Sequence, residues 1–87
     1  MITVDPLILK QESISSKMLI SLEFAYYKHK RGDAFGLKEL PGTKTALINK
    51  ELIEFTSKYI NRELVDTWKI TKKGITLMRF LKCYPTV

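Results

Sequence analysis

The chain is poor in the residues from which catalytic and metal sites are most often built. It has one cysteine, Cys83, and one histidine, His29. A lone cysteine cannot close an internal disulfide, and with no Cys or His at ligand spacing a structural zinc site is not expected. His29 stands between Lys28 and Lys30, so no Ser–His–acid or Cys–His set can be built around it. The neighbouring carboxylates Glu51 and Glu54 have no apolar pocket of the kind general acid–base chemistry uses. A G-x-x-x-x-G-K-[ST] phosphate loop is missing as well. These absences argue against an enzyme, a cofactor and a small-molecule substrate.

Long hydrophobic runs are lacking too. No segment reaches the roughly 18–20 uninterrupted apolar residues of a membrane span. The opening MITVDPLILK contains Asp5 and Pro6 and has no basic start, unlike a signal peptide. Together with the unpaired Cys83, this gives a cytoplasmic, reduced setting, nucleoid association included, as the expectation.

Acidic residues are scarce relative to basic ones. Nine Asp and Glu face fifteen Lys and Arg, for a net charge of +6 and a pI near 9.6. A small domain with this balance attracts polyanions by long-range electrostatics. At 87 residues, 45% hydrophobic and 28% charged, one domain is expected. Its core is modest, so a partner subunit would add stability.

Residues 1–12 form an apolar lead around Pro6, an arm or an interface strand. Residues 13–84 hold the domain proper. Ser13, Ser15 and Ser16 are candidate N-caps for a helix reaching residue 30. Ile14, Met18, Leu22 and Tyr26 recur every four residues along it, with Leu19 and Ala25 filling the stripe. Gly32 and Asp33 end it. Leu37 to Leu40 makes one helical turn, stopped by Pro41 and Gly42. Thr43 or Thr45 can cap a second short helix running to about Lys50. Two short helices split by a tight turn is a helix-turn-helix pattern. Leu52–Phe55 reads as a strand, 56–66 as a polar stretch and Thr67–Thr71 as a second strand. Thr71 can cap a last helix whose apolar face carries Ile75, Leu77, Met78, Phe80 and Leu81 and which Pro85 ends. A rival parse joins 43–64 into one long helix, since Ala46, Ile53 and Ile60 are helically spaced.

Two stretches resemble the winged helix-turn-helix superfamily of transcriptional regulators. Leu47-Ile48-Asn49-Lys50-Glu51-Leu52-Ile53-Glu54 is similar to the L-x-x-x-G-L-I-E that closes its recognition helix. Trp68-Lys69-Ile70-Thr71-Lys72-Lys73-Gly74 is similar to the Y-x-[IL]-T-x-K-G on its second wing strand. The resemblance implies a mainly α fold with a small β-hairpin (α+β), a winged helix-turn-helix. It also implies duplex DNA as the partner, regulation of transcription as the role, and a homodimer reading two half-sites. Two departures stand out. Glu51 occupies the place of the usual glycine, and the segment from Leu37 to Glu51 is short by several residues, which weakens base reading more than fold.

The expected recognition helix offers Thr43, Lys44, Thr45 and Asn49, with Lys38 before it and Lys50 at its end. Asn suits adenine edges, Thr bases or phosphates, and Lys guanine or phosphate. The expected wing offers Lys58, Tyr59, Asn61 and Arg62 to the backbone. Lys72 and Lys73 open the last helix, where the dipole disfavours cations, which hints at an anionic partner. Phe24, Tyr26, Tyr27, Phe35 and Trp68 read as core rather than as base-stacking rings. The closing helix (Leu77, Phe80, Leu81, Tyr84) and the lead (Ile2, Val4, Leu7, Ile8, Leu9) carry more apolar surface than a thin core uses, and are the expected dimer surface. The other class of function open to such a fold is a protein-interaction module.

Overall fold

The computed structural model describes residues 4–83. Ile2, Tyr84 and Pro85 lie outside them. The order is α1 (Pro6–Gln11), α2 (Ser16–Lys30), a 3-10 turn (Leu37–Glu39), α3 (Thr45–Asn49), β1 (Ile53–Ile60), β2 (Glu63–Ile70) and α4 (Lys72–Leu81). This is a small α+β domain with four helices and one two-stranded antiparallel hairpin among the described residues.

The lead is neither an extended arm nor a strand over its second half. Asp5 Oδ1 accepts the Leu7 N–H at 3.0 Å. Pro6 then supplies a fixed φ at the first helical position, where no N–H is needed. The helix closes with Ile14 N–H donating to the Leu9 carbonyl at 2.8 Å and Ser13 N–H to that of Lys10 at 3.1 Å. Ser13 is left-handed between them, at φ 57°. This is the Schellman end, in which a left-handed residue lets the chain turn back and satisfy the last carbonyls. Val4, Leu9 and Ile14 are buried in the same cluster as the rest of the core. The lead therefore folds over its own domain and leaves Leu7 exposed.

Of the three candidate serines, Ser15 caps α2, its Oγ accepting the Met18 N–H at 3.1 Å. Met18, Leu19, Leu22 and Ala25 face inward as the four-residue spacing requires. Gly32, at φ 75°, ends the helix. Beyond it Phe35 forms a single antiparallel bridge with Trp68 (N–H to O at 3.0 and 2.7 Å). The hairpin is thus tied to the chain leaving α2.

The strands run further than the sequence reading allowed. Residues 56–66 are not a loop: Ile53–Ile60 pairs with Glu63–Ile70 through a two-residue corner. Asn61 and Arg62 have φ 51° and 69°, the pair of positive angles that a type I′ hairpin turn demands. This also excludes the single 43–64 helix, because Ala46 sits in α3 and Ile53 in β1. Thr71 caps α4 as expected, its Oγ1 accepting the Gly74 N–H at 3.0 Å. Gly74 lets that helix start against the sheet: a Cβ there would lie 2.5 Å from the Leu52 carbonyl oxygen.

The core gathers Leu22, Leu47, Leu52, Ile70, Met78 and Leu81 from four elements (α2, α3, β2 and α4) and the segment between α3 and β1. Burying each of these side chains fully contributes about 1.5–3 kcal/mol. Of the aromatics expected there, Phe35 is buried, while Phe24, Tyr26 and Trp68 are half-buried. Tyr27 is exposed, a departure from expectation: residue 27 falls off the 18–22–25 stripe.

Candidate nucleic-acid interface

Two parts of the molecule carry the polar residues singled out in the sequence. The first is the corner leading into α3. Glu39 Oε2 accepts the Gly36 N–H at 2.6 Å and stiffens the 3-10 turn. Leu40 is extended at ψ 124°, as the residue before a proline must be. Gly42 N–H then donates to Ser21 Oγ at 2.8 Å. Ser21 is fully buried on α2, and its hydroxyl is satisfied there by the turn. A Cβ on Gly42 would collide with the Lys17 carbonyl. The corner is pinned to α2 with no room for a side chain.

α3 is five residues long, and Lys44, at its N-cap, makes no side-chain capping bond. The expected caps Thr43 and Thr45 do not serve: Thr43 falls before the helix start and Thr45 is already its first residue. Leu47, buried, holds the helix to the core. Thr45 and Asn49 are exposed, as is Lys38 on the 3-10 turn, while Thr43, Lys44 and Lys50 are half-buried. Five residues span about 7.5 Å, a short rod for a groove. The helix ends as α1 does. Leu52 N–H donates to the Leu47 carbonyl at 2.9 Å and Glu51 N–H to that of Ile48 at 3.0 Å. Glu51 adopts φ 58°, so the left-handed corner at this place is made without glycine. Its carbonyl accepts Thr71 Oγ1–H at 2.7 Å, which joins the end of α3 to the start of α4.

The second part is the hairpin. Lys58 and Tyr59 lie on β1 and Asn61 and Arg62 form the corner, all exposed. Lys69 pairs with Glu54 across the strands at 3.4 Å, an exposed contact worth well under about 1 kcal/mol. A cleft beside the hairpin is lined by His29, Asp33, Lys58 and Lys69 together with the hydroxyls of Thr56, Ser57 and Thr67. The end of α2 and the hairpin therefore share one concavity, basic because Lys58 and Lys69 outnumber its one carboxylate, Asp33, which Arg31 also pairs at 3.7 Å. A different cleft, at the junction of α3 and α4, is lined by Lys50, Lys73 and Glu12 with Ile14, Leu52 and Leu77.

Cations at the end of α2 lean back on rings one turn earlier: Lys28 on Phe24 at 5.6 Å, Lys30 on Tyr26 at 5.2 Å, Arg31 on Tyr27 at 5.6 Å. Such pairs contribute about 0.5–1 kcal/mol each at exposed sites, and the charges still face water. His29, Phe55 and Lys69 were not among the expected site residues. The alternation Ile53-Phe55, running on through Ser57 to Tyr59, held the signal for Phe55, but the corner Asn61-Arg62 lacks the glycine that would have marked the hairpin.

Among the described residues, no group of three or more His, Cys, Asp or Glu is placed to hold a metal ion. Among the same residues, no helix is long and apolar enough to cross a membrane. No protein-family model, curated protein or solved structure matches the chain.

Proposed function

We propose that the chain is a winged helix-turn-helix protein that binds duplex DNA and regulates transcription, with no catalytic role of its own. The observation that carries this reading is the basic cleft in which Lys58 and Lys69 of the hairpin meet His29 of α2. The element order supports it: a helix, a pinned corner, a second short helix, then a hairpin and a closing helix. In this reading Thr45 and Asn49 approach base edges, and Lys38, Lys44, Lys50, Thr43 and the hairpin residues Lys58, Tyr59, Asn61 and Arg62 hold the backbone. Because α3 is so short, backbone contact dominates and sequence preference is weak.

A homodimer belongs to the same proposal. With Val4 and Leu9 committed to the core, its surface rests on Leu7 and the partly exposed Phe80. Those same two residues also favour the second reading, a protein-interaction module that does not touch DNA.

A shift assay with mixed-sequence duplex DNA at several salt concentrations tests the proposal. About five Lys or Arg contacts give a slope of log affinity against log salt of about −4 to −5. The double variant Lys58→Ala, Arg62→Ala weakens binding on every sequence alike and shortens that slope by about two. Absence of binding at low salt favours the interaction module.

A further inference from the structure

The hairpin has two unlike faces. Residues opposite one another across an antiparallel pair point to the same side. The register therefore puts Phe55 with Trp68, Ser57 with Asp66 and Tyr59 with Leu64 on one face. Phe55 is 55% exposed, Tyr59 73% and Leu64 59%. Two large rings and a leucine stand in water on a segment that projects from the core, where burial would normally have taken them.

We propose that this face is a stacking platform for unpaired bases, so that the protein holds single-stranded nucleic acid along its hairpin. The inference rests on the nucleic-acid reading above and names a different form of the ligand.

Ring availability is the first argument. Phe55 and Trp68 meet edge to face, with centroids 5.7 Å apart and planes at 82°. Whichever ring presents its edge, each keeps at least one flat side unused by the other. Tyr59 lies four residues further along the same strand, about 13 Å away at the usual rise. A base can lie on each ring, and stacking of this kind tolerates any sequence.

Charge is the second. Lys58 neighbours Tyr59 in sequence and points to the opposite face, and Arg62 forms the corner beyond Leu64. Cations flanking rings are what a strand needs when its bases stack and its phosphates turn outward. Between the two ring positions stands Asp66, exposed. A carboxylate accepts hydrogen bonds from the exocyclic amines of bases. The same carboxylate disfavours a second copy of this chain as the occupant, since two such faces packed about a central two-fold would bring two Asp66 side chains together.

The test uses the full chain with a labelled twelve-residue oligothymidylate and a duplex of the same length, read by fluorescence anisotropy. Trp68 is the only tryptophan, and its emission is quenched when the single strand is added. Tyr59→Ala and Phe55→Ala each lower single-strand affinity by about fivefold or more, and Phe55→Ala, which removes no residue assigned to the duplex backbone, leaves duplex affinity within about twofold. Tyr59→Phe restores single-strand affinity, because it returns the ring without the hydroxyl. Ring-dependent single-strand binding without duplex binding keeps the platform and removes the duplex reading. Duplex binding with single-strand affinity indifferent to both rings overturns the platform and leaves the duplex reading standing. Binding of neither overturns both. A sedimentation mass of two chains that Tyr59→Ala reduces to one, without single-strand binding, gives the face to a second copy and overturns the platform.

Discussion

Two corners of two residues each shape the candidate interface, and they are held in opposite ways. Pro41-Gly42, before α3, is fixed from outside. Its N–H reaches the buried Ser21 hydroxyl at 2.8 Å, and the α2 backbone fills the space where a Cβ would go. Asn61-Arg62, at the hairpin tip, is exposed and fixed by its own backbone angles, φ 51° and 69°. The first corner presents α3 rigidly, as part of the core. The second carries its rings and cations out from the body, tied back at its base by the Phe35–Trp68 bridge. A rigid short helix and a long projecting ribbon can meet one ligand, but they present it with different surfaces: two exposed polar side chains on α3 against a basic cleft and an apolar face on the hairpin.

The sharpest way to break the pinned corner is Gly42→Ala. One methyl group must displace either the Lys17 carbonyl or the turn itself, and the Ser21 bond goes with it. Overpacking of this kind, with a buried hydroxyl left unpaired, costs about 3 kcal/mol. Chemical denaturation should show it as a lower midpoint with an unchanged slope. A Gly42→Ala protein as stable as the parent would mean that the corner is not held by α2.

A smaller loss is expected at the junction that ties the two regions together. Thr71 Oγ1 accepts from Gly74 N–H and donates to the Glu51 carbonyl, so one hydroxyl links α3, the hairpin base and α4. Thr71→Ala removes a helix cap worth about 1 kcal/mol. Thr71→Ser keeps both bonds and should recover most of that. Thermal unfolding followed by circular dichroism separates the two variants; equal melting temperatures would show that the hydroxyl does not bridge the elements.

These contrasts explain what was legible in the sequence and what was not. Pro41-Gly42 is overt punctuation, so the short helix after it was placed to within a residue or two. Thr71 and Gly74 were legible because capping and close approach each leave a residue signature. The α2 stripe followed from four-residue spacing alone. The hairpin beyond Phe55 was hidden, because its tip turns on Asn61-Arg62 rather than Asn-Gly, and its strands alternate rings with Ser57 and Asp66 rather than with core residues. The rings taken for core were judged by periodicity, which gives the side of an element but not how far that element extends past its support. Phe55 was read as the end of a short strand and Tyr59 as a backbone contact in a polar stretch, so the face they share was not visible.

The smallest expected effect concerns Glu51, a corner that belongs to both regions, and its sign is the informative part. Three helices end with the same backbone pattern, at Ser13 with φ 57°, Gly32 with φ 75° and Glu51 with φ 58°. Only one of the three is glycine. The bonds that close α3 run from the Glu51 and Leu52 N–H groups to carbonyls, and the Thr71 hydroxyl meets the Glu51 carbonyl. None of them uses the Glu51 side chain, which is exposed. Glu51→Gly therefore keeps every one of these bonds and removes the steric penalty of a Cβ in the left-handed region, about 1–2 kcal/mol. Glycine's extra freedom in the unfolded chain takes back part of this, about 0.5–1 kcal/mol. The net is a gain of about 0.5 kcal/mol, a melting temperature raised by about 2–4 °C. Gly32→Ala is the mirror experiment. No atom lies within 4 Å of where its Cβ would go, so only the backbone angle is at stake, and a loss of about the same size is expected. If Glu51→Gly instead lowers stability while Gly32→Ala behaves as stated, the Glu51 side chain makes a contribution of its own, and the end of α3 is fixed by more than its backbone.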